Sequence, residues 1–183
     1  MGLGLLFFGY LFCLNLLNVY FLPFATLIMF FALKKLSFVN PTLSRAKFYL
    51  MPLFLVGMVG LILALVQNFG AKIPHYDIFS SVLICLEHLL MPAFLFVLFK
   101  GLRTLSDEVN LPKLSAKAVR NQLFCFFYYV PALLLELPFW DTSLFLQTAA
   151  LFTLLLGLLV FFLNAKTLYG YYRFVCMPGE ENL

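Results

Sequence analysis

The chain has 183 residues, 64% of them hydrophobic and 11% charged, with a formal net charge of +4 and a mean hydropathy of +1.02. Soluble domains carry about 45–50% apolar and about 25% charged residues, so a soluble fold of this size would have nowhere to hide its apolar surface. Composition therefore predicts one domain over residues 1–183, an all-α polytopic transmembrane helical bundle whose first partner is the lipid bilayer, and gives no reason to expect a nucleic-acid partner.

The first apolar run, residues 3–33, is too long for one simple span, because a continuous helix of that length would measure about 46 Å. Asn15 and Asn18, followed by Pro23, predict a break. One helix then ends near Tyr20, and a second begins at Pro23, in its first turn, and runs to Leu36. A strongly tilted, kinked single span is the rival reading. Lys34-Lys35 closes this unit, and the connection over 37–47 holds the turn signal Asn40-Pro41 with Arg45 and Lys47.

The second span is predicted over 48–69, closing at Gln67-Asn68, and the third over 78–99, closing at Lys100 and Arg103. The longest polar segment, 104–122, contains Asp107-Glu108, Pro112, Lys113, Lys117 and Arg120, with Ser115 placed to cap the next helix. Span four continues to Phe139 with interruptions at Pro131 and Pro138, and Trp140-Asp141-Thr142 makes a tight turn. The fifth span, 144–163, leads into Tyr169, Tyr171, Tyr172 and Arg173 and a polar tail at 179–182. That makes five spanning units, the first broken near Pro23.

Basic residues act as a compass. With five spans, Lys34, Lys35, Arg45, Lys47, Lys100, Arg103, Lys113, Lys117, Arg120, Lys166 and Arg173 share one side, and Lys72 alone falls on the other. The positive-inside rule then puts the N-terminus outside and the C-terminus in the cytoplasm. A re-entrant hairpin over 3–36 would move the N-terminus inside and leave every later connection on its side. Trp140 and Tyr76 would mark the outer interface, and Tyr49, Tyr169, Tyr171 and Tyr172 the inner one.

One pair of adjacent ionisable residues lies within an apolar run: Glu87-His88, followed by Pro92. A helical proline donates nothing to the carbonyl four residues back, here that of His88. With this orientation Glu87, His88 and Glu136 form the candidate cation or proton site, joined toward the outer leaflet by Gln67, Asn68, His75, Asp77, Asp141 and Gln147. Ionisable groups within spans usually face a cavity or a partner. Two considerations oppose it. Adjacent helical residues point about 100° apart, and polar residues in bundles commonly serve as packing glue.

The remaining features carry less. Cys13, Cys85, Cys125 and Cys176 are far apart and match no metal or redox spacing, and no metal, cofactor or catalytic residue is expected. The opening residues lack the basic stretch and cleavage site of a signal peptide. Gly57, Gly60 and Gly157 allow close helix contact, Tyr128-Tyr129 reads as packing, and the basic third connection suits anionic lipid heads.

The elements Phe7-Phe8-Gly9-Tyr10, Leu22-Pro23, Ala32-Leu33-Lys34-Lys35-Leu36-Ser37, Ala46-Lys47 and Phe99-Lys100-Gly101-Leu102 resemble a group of small polytopic membrane proteins of Firmicutes that carry no assigned activity. The resemblance covers the first hundred residues and implies a bacterial plasma membrane. In that group an acidic residue often flanks the Leu-Pro pair, where this chain has Tyr20-Phe21 and Phe24. The leading functional reading is a non-enzymatic accessory or assembly component working through a membrane-protein partner. The alternative is a small transporter, a proton- or cation-coupled carrier using Glu87, His88 and Glu136. A membrane-embedded enzyme ranks third, for want of a nucleophile or metal set.

Overall fold

A computed structural model describes residues 2–13, 21–70, 74–136 and 144–176. It contains the helices α1 (Gly2–Leu11), α2 (Leu22–Leu36), α3 (Pro41–Asn68), α4 (Tyr76–Glu108), α5 (Pro112–Leu135) and α6 (Leu144–Cys176). The expectations for Asn15, Asn18, Tyr20, Lys72, Pro138, Trp140, Asp141 and the tail lie outside the described residues.

Four helices are long and apolar enough to cross a membrane: Pro41–Asn68, Tyr76–Glu108, Pro112–Leu135 and, within α6, Gln147–Val175. The first run does not supply a fifth crossing of that kind. It folds back on itself. Gly2 of α1 abuts Leu36 and Ala32 of α2, and Gly9 abuts Met29, so the two helices run antiparallel. An ideal Cβ on Gly9 would stand 2.8 Å from Met29 Cγ, so only glycine permits this approach. The 15 residues of α2 reach about 22 Å, short of a hydrocarbon core of about 30 Å.

The hairpin lies against the last helix. Gly4 meets the Tyr172 ring, Phe7 lies 5.6 Å from Tyr169, and Tyr10 stacks on Phe161 at 5.0 Å. Gly2 and Tyr172 therefore share one end of the bundle. This antiparallel packing of α1 on α2 is the arrangement of the re-entrant-hairpin alternative.

Each helix packs antiparallel on its neighbours in the chain, and α1 closes the ring on α6. Asn40 caps α3, its Oδ1 accepting from Thr42 N at 2.8 Å and its Nδ2 donating to Thr104 Oγ1 of α4 at 2.8 Å. Pro41 takes the first helical position, where its missing N–H costs nothing. α5 begins at Pro112 after Leu111 with no side-chain cap, so Ser115 does not play that role. It also passes through Pro131 without a break. α4 runs past Lys100 and Arg103 to Glu108, because good helix formers there continue the intrahelical ladder into the interface.

The core is lopsided. The buried residues of α4 extend only from Met91 to Ser106, and those of α3 from Leu43 to Gly60. Six helices meet in the half that carries every described lysine and arginine. In the other half no residue of α4 from 76 to 90 is buried. Large apolar side chains such as Phe48, Phe127 and Phe152 point outward, as lipid-facing residues do. Helix association in lipid is driven by close packing and interhelical hydrogen bonds, because hydrocarbon is as apolar as leucine. Accordingly Asn40, Ser106, Asn121, Asn164 and Thr167, five of the seven buried polar residues among those described, sit in or at the edge of the six-helix half; Thr26 lies on α2, and Thr153 lies toward the other end of α6.

Candidate functional site

Polar side chains form three levels along the bundle. At the basic end, Tyr171 is fully buried and hydrogen-bonds to Ser106 Oγ at 3.1 Å and Leu114 O at 3.2 Å. This corrects its reading as an interfacial tyrosine: α6 continues to Cys176, which carries Tyr171 inside between α4 and α5. Tyr169, by contrast, is exposed. Nearby, Asn121 Nδ2 donates to Thr167 Oγ1 at 2.9 Å and Leu163 O at 3.1 Å, joining α5 to α6. Arg120 Nη2 donates to the Asn121 Oδ1 at 3.2 Å, which satisfies the rest of the amide.

The middle level joins three helices. Asn164 of α6 donates from Nδ2 to Tyr10 Oη of α1 at 3.0 Å and to Cys125 Sγ of α5 at 3.5 Å. Its Oδ1 is buried and has no hydrogen-bond partner among the described residues. None of these polar ties was singled out from the sequence. The available signal was spacing: Thr153, Gly157, Asn164, Thr167 and Tyr171 recur on α6 at helical intervals.

The outer level holds the predicted site residues. Glu87 and His88 are both half-buried. Glu87 lines a small void between α3 and α4, with Gly60 and Ala64 on one wall, Ser80 and Tyr76 on the other, and Leu22 of α2 beside them. Its volume is about 40 Å³, room for water or a small ion.

His88 looks elsewhere, as the 100° offset requires. Its Nδ1 lies 3.0 Å from Ile84 O. A carbonyl only accepts, so Nδ1 carries a proton and Nε2 is the nitrogen left to face the α5 side. The ring packs edge-on to Tyr128 and tilted on Tyr129, at 6.5 and 5.9 Å. Gly157 makes room for this cluster: an ideal Cβ there would lie 2.6 Å from Tyr128 Cε2. Glu136 ends α5. Of the three predicted residues, His88 is the one placed against the Tyr128-Tyr129 pair, while Glu87 lines the void between α3 and α4.

The rest of the expected pocket does not assemble among the described residues: Gln67, Asn68, His75, Asp77 and Gln147 are exposed at the helix ends away from the basic half. No group of three or more His, Cys, Asp or Glu side chains among the described residues could hold a metal ion. The arrangement can bind a water, proton or small cation at a half-buried carboxylate beside a small void. No protein-family model, curated protein or solved structure matches the chain.

Proposed function

We propose that the protein is a small, non-enzymatic carrier of the bacterial plasma membrane that moves protons or a small monovalent cation by way of Glu87. The observation that carries this reading is half-buried Glu87 lining a void of about 40 Å³ between α3 and α4. An ionisable residue within a span is costly unless it faces a cavity or a partner, and here it faces a cavity. His88, packed against Tyr128 and Tyr129, and Glu136, at the end of α5, would relay charge onward from Glu87. The basic end faces the cytoplasm on this reading, since eleven of the twelve lysines and arginines belong to it. Because Gly2 and Tyr172 share that end, both termini of the helical ring are cytoplasmic.

The test is flux in proteoliposomes made from the purified full chain, with a pH-sensitive dye inside and imposed sodium or potassium gradients. Wild type is expected to move protons or one cation well above empty vesicles. Glu87→Gln should lower the rate at least tenfold, and Glu136→Gln less. Wild-type flux no higher than that of empty vesicles would sink the carrier reading, as would a Glu87→Gln variant at full rate.

A second reading, an accessory or assembly subunit, is favoured by a different observation. The outer halves of α3 to α6 expose Ile62, Leu65, Ile78, Phe79, Val82, Leu151 and Phe152. A protein partner recovered stoichiometrically in mild detergent, and lost on Phe79→Ser or Phe152→Ser, would support it.

A further inference from the structure

On the outward face of α4 the surface sinks into a trough of about 310 Å³. The cause is local: Pro92 and Ala93 are small side chains between the larger His88 and Phe96. In the ring α4 stands between α3 and α5, so Tyr49 of α3 closes one side and Phe126 and Val130 of α5 the other. Leu89, Phe96, Phe126 and Val130 are exposed. The trough therefore opens onto the apolar surface and not onto water.

Its length and its charged end select the occupant. The lining on α4 runs from His88 to Val97, a rise of about 14 Å, close to the depth of one leaflet of a hydrocarbon core about 30 Å thick. Lys100 is four residues on from Phe96 and seven from Ala93, so it stands on the same face, at the basic end. Arg45 is one turn before Tyr49 on α3 and flanks that end from the other side. Neither cation has a carboxylate within ion-pair distance among the described residues, where Arg103 pairs with Asp107 at 3.8 Å. An apolar trough one leaflet long, ending between two unpaired cations, is complementary to a chain carrying an anionic head.

We propose that this trough is a binding site for one anionic phospholipid, its acyl chain lying over Pro92 and Ala93 and its phosphate between Arg45 and Lys100. The site is separate from the Glu87 void and does not depend on the carrier reading. It is tested by native mass spectrometry of the delipidated full chain, titrated with phosphatidylglycerol or phosphatidylcholine of identical chains. One equivalent of phosphatidylglycerol should bind at least fivefold more tightly than phosphatidylcholine. Lys100→Gln and Arg45→Gln, both at exposed positions, should each weaken it about fivefold, the value of one interfacial charge.

Ala93→Trp fills the trough without altering charge and should weaken both lipids. Equal affinity for the two lipids would overturn the proposal, and so would an Ala93→Trp variant that binds them as wild type does. Displacement of phosphatidylglycerol by millimolar inorganic phosphate alone would also overturn it, by showing a free-anion site. Unchanged thermal unfolding of Lys100→Gln ties its loss of binding to the charge and not to the fold.

Discussion

The junction between the hairpin and α6 makes a prediction in which the order of four variants matters more than any one value. Asn164 is fully buried, with Nδ2 donating to Tyr10 Oη at 3.0 Å and Oδ1 unpartnered among the described residues. An interhelical hydrogen bond in a membrane contributes about 0.6 kcal/mol on average and at most about 1.7. A buried polar atom left unmatched costs about 1–3 kcal/mol. Asn164→Leu loses the bond and strands the Tyr10 hydroxyl, but it also removes the orphaned carbonyl. These last two effects nearly cancel, and the variant should lose about 1 kcal/mol. Tyr10→Phe leaves the Asn164 amide with only the weak Cys125 Sγ acceptor at 3.5 Å and its orphaned Oδ1, and should be the least stable, by about 1–3 kcal/mol. The double variant removes every polar atom of the pair and should be at least as stable as wild type. Equilibrium unfolding in mixed anionic and non-ionic micelles reads all four proteins, and the cycle isolates the coupling. If the double variant is less stable than either single one, the hairpin is not held to α6 by this contact, and the ring closure described here is wrong.

Other consequences can be checked with similar tools. Gly157→Leu drives a side chain into Tyr128, whose ring already stands 2.6 Å from where a Cβ would be; overpacking of this kind should cost about 1–3 kcal/mol in the same unfolding assay. Tyr171→Phe removes the hydroxyl bonded to Ser106 and Leu114 O and should cost about 0.6–1.7 kcal/mol, with no effect on flux through the Glu87 site. Asn40→Ala loses both the cap of α3 and the tie to Thr104, for about 1–2 kcal/mol. In a chain freed of native cysteines, a cysteine at Pro74 should react with an impermeant maleimide on intact cells, whereas cysteines at Gly2 or Ser37 should react only after permeabilisation. Labelling at Gly2 and not at Ser37 from outside would rule out the hairpin.

Glu87 and His88 were legible in the sequence because charge inside an apolar run is conspicuous, and their divergence followed from the 100° step of a helix. Their real neighbours were not. Tyr128 and Tyr129 read as packing residues, and they do pack, against the His88 ring. Asn121 and Asn164 drew no reading from the sequence. They became structural ties only when α5 and α6 were brought together, since a hydrogen bond 39 or more residues apart in sequence leaves no local trace.

By itself the sequence determined the membrane class, the break before Pro23 and the gathering of basic residues at one end, because apolar run length and charge position are one-dimensional quantities. Only the tertiary structure decided that the first run turns back, that the six-helix core fills one half of the bundle, and that Glu87 therefore lies over a cavity while the outer polar residues stay apart. The physical reason is that a helix apolar on all sides carries no stripe to announce its buried face. That face is chosen by where glycines such as Gly9 and Gly157 admit a neighbour and where amides such as Asn121 and Asn164 find a partner.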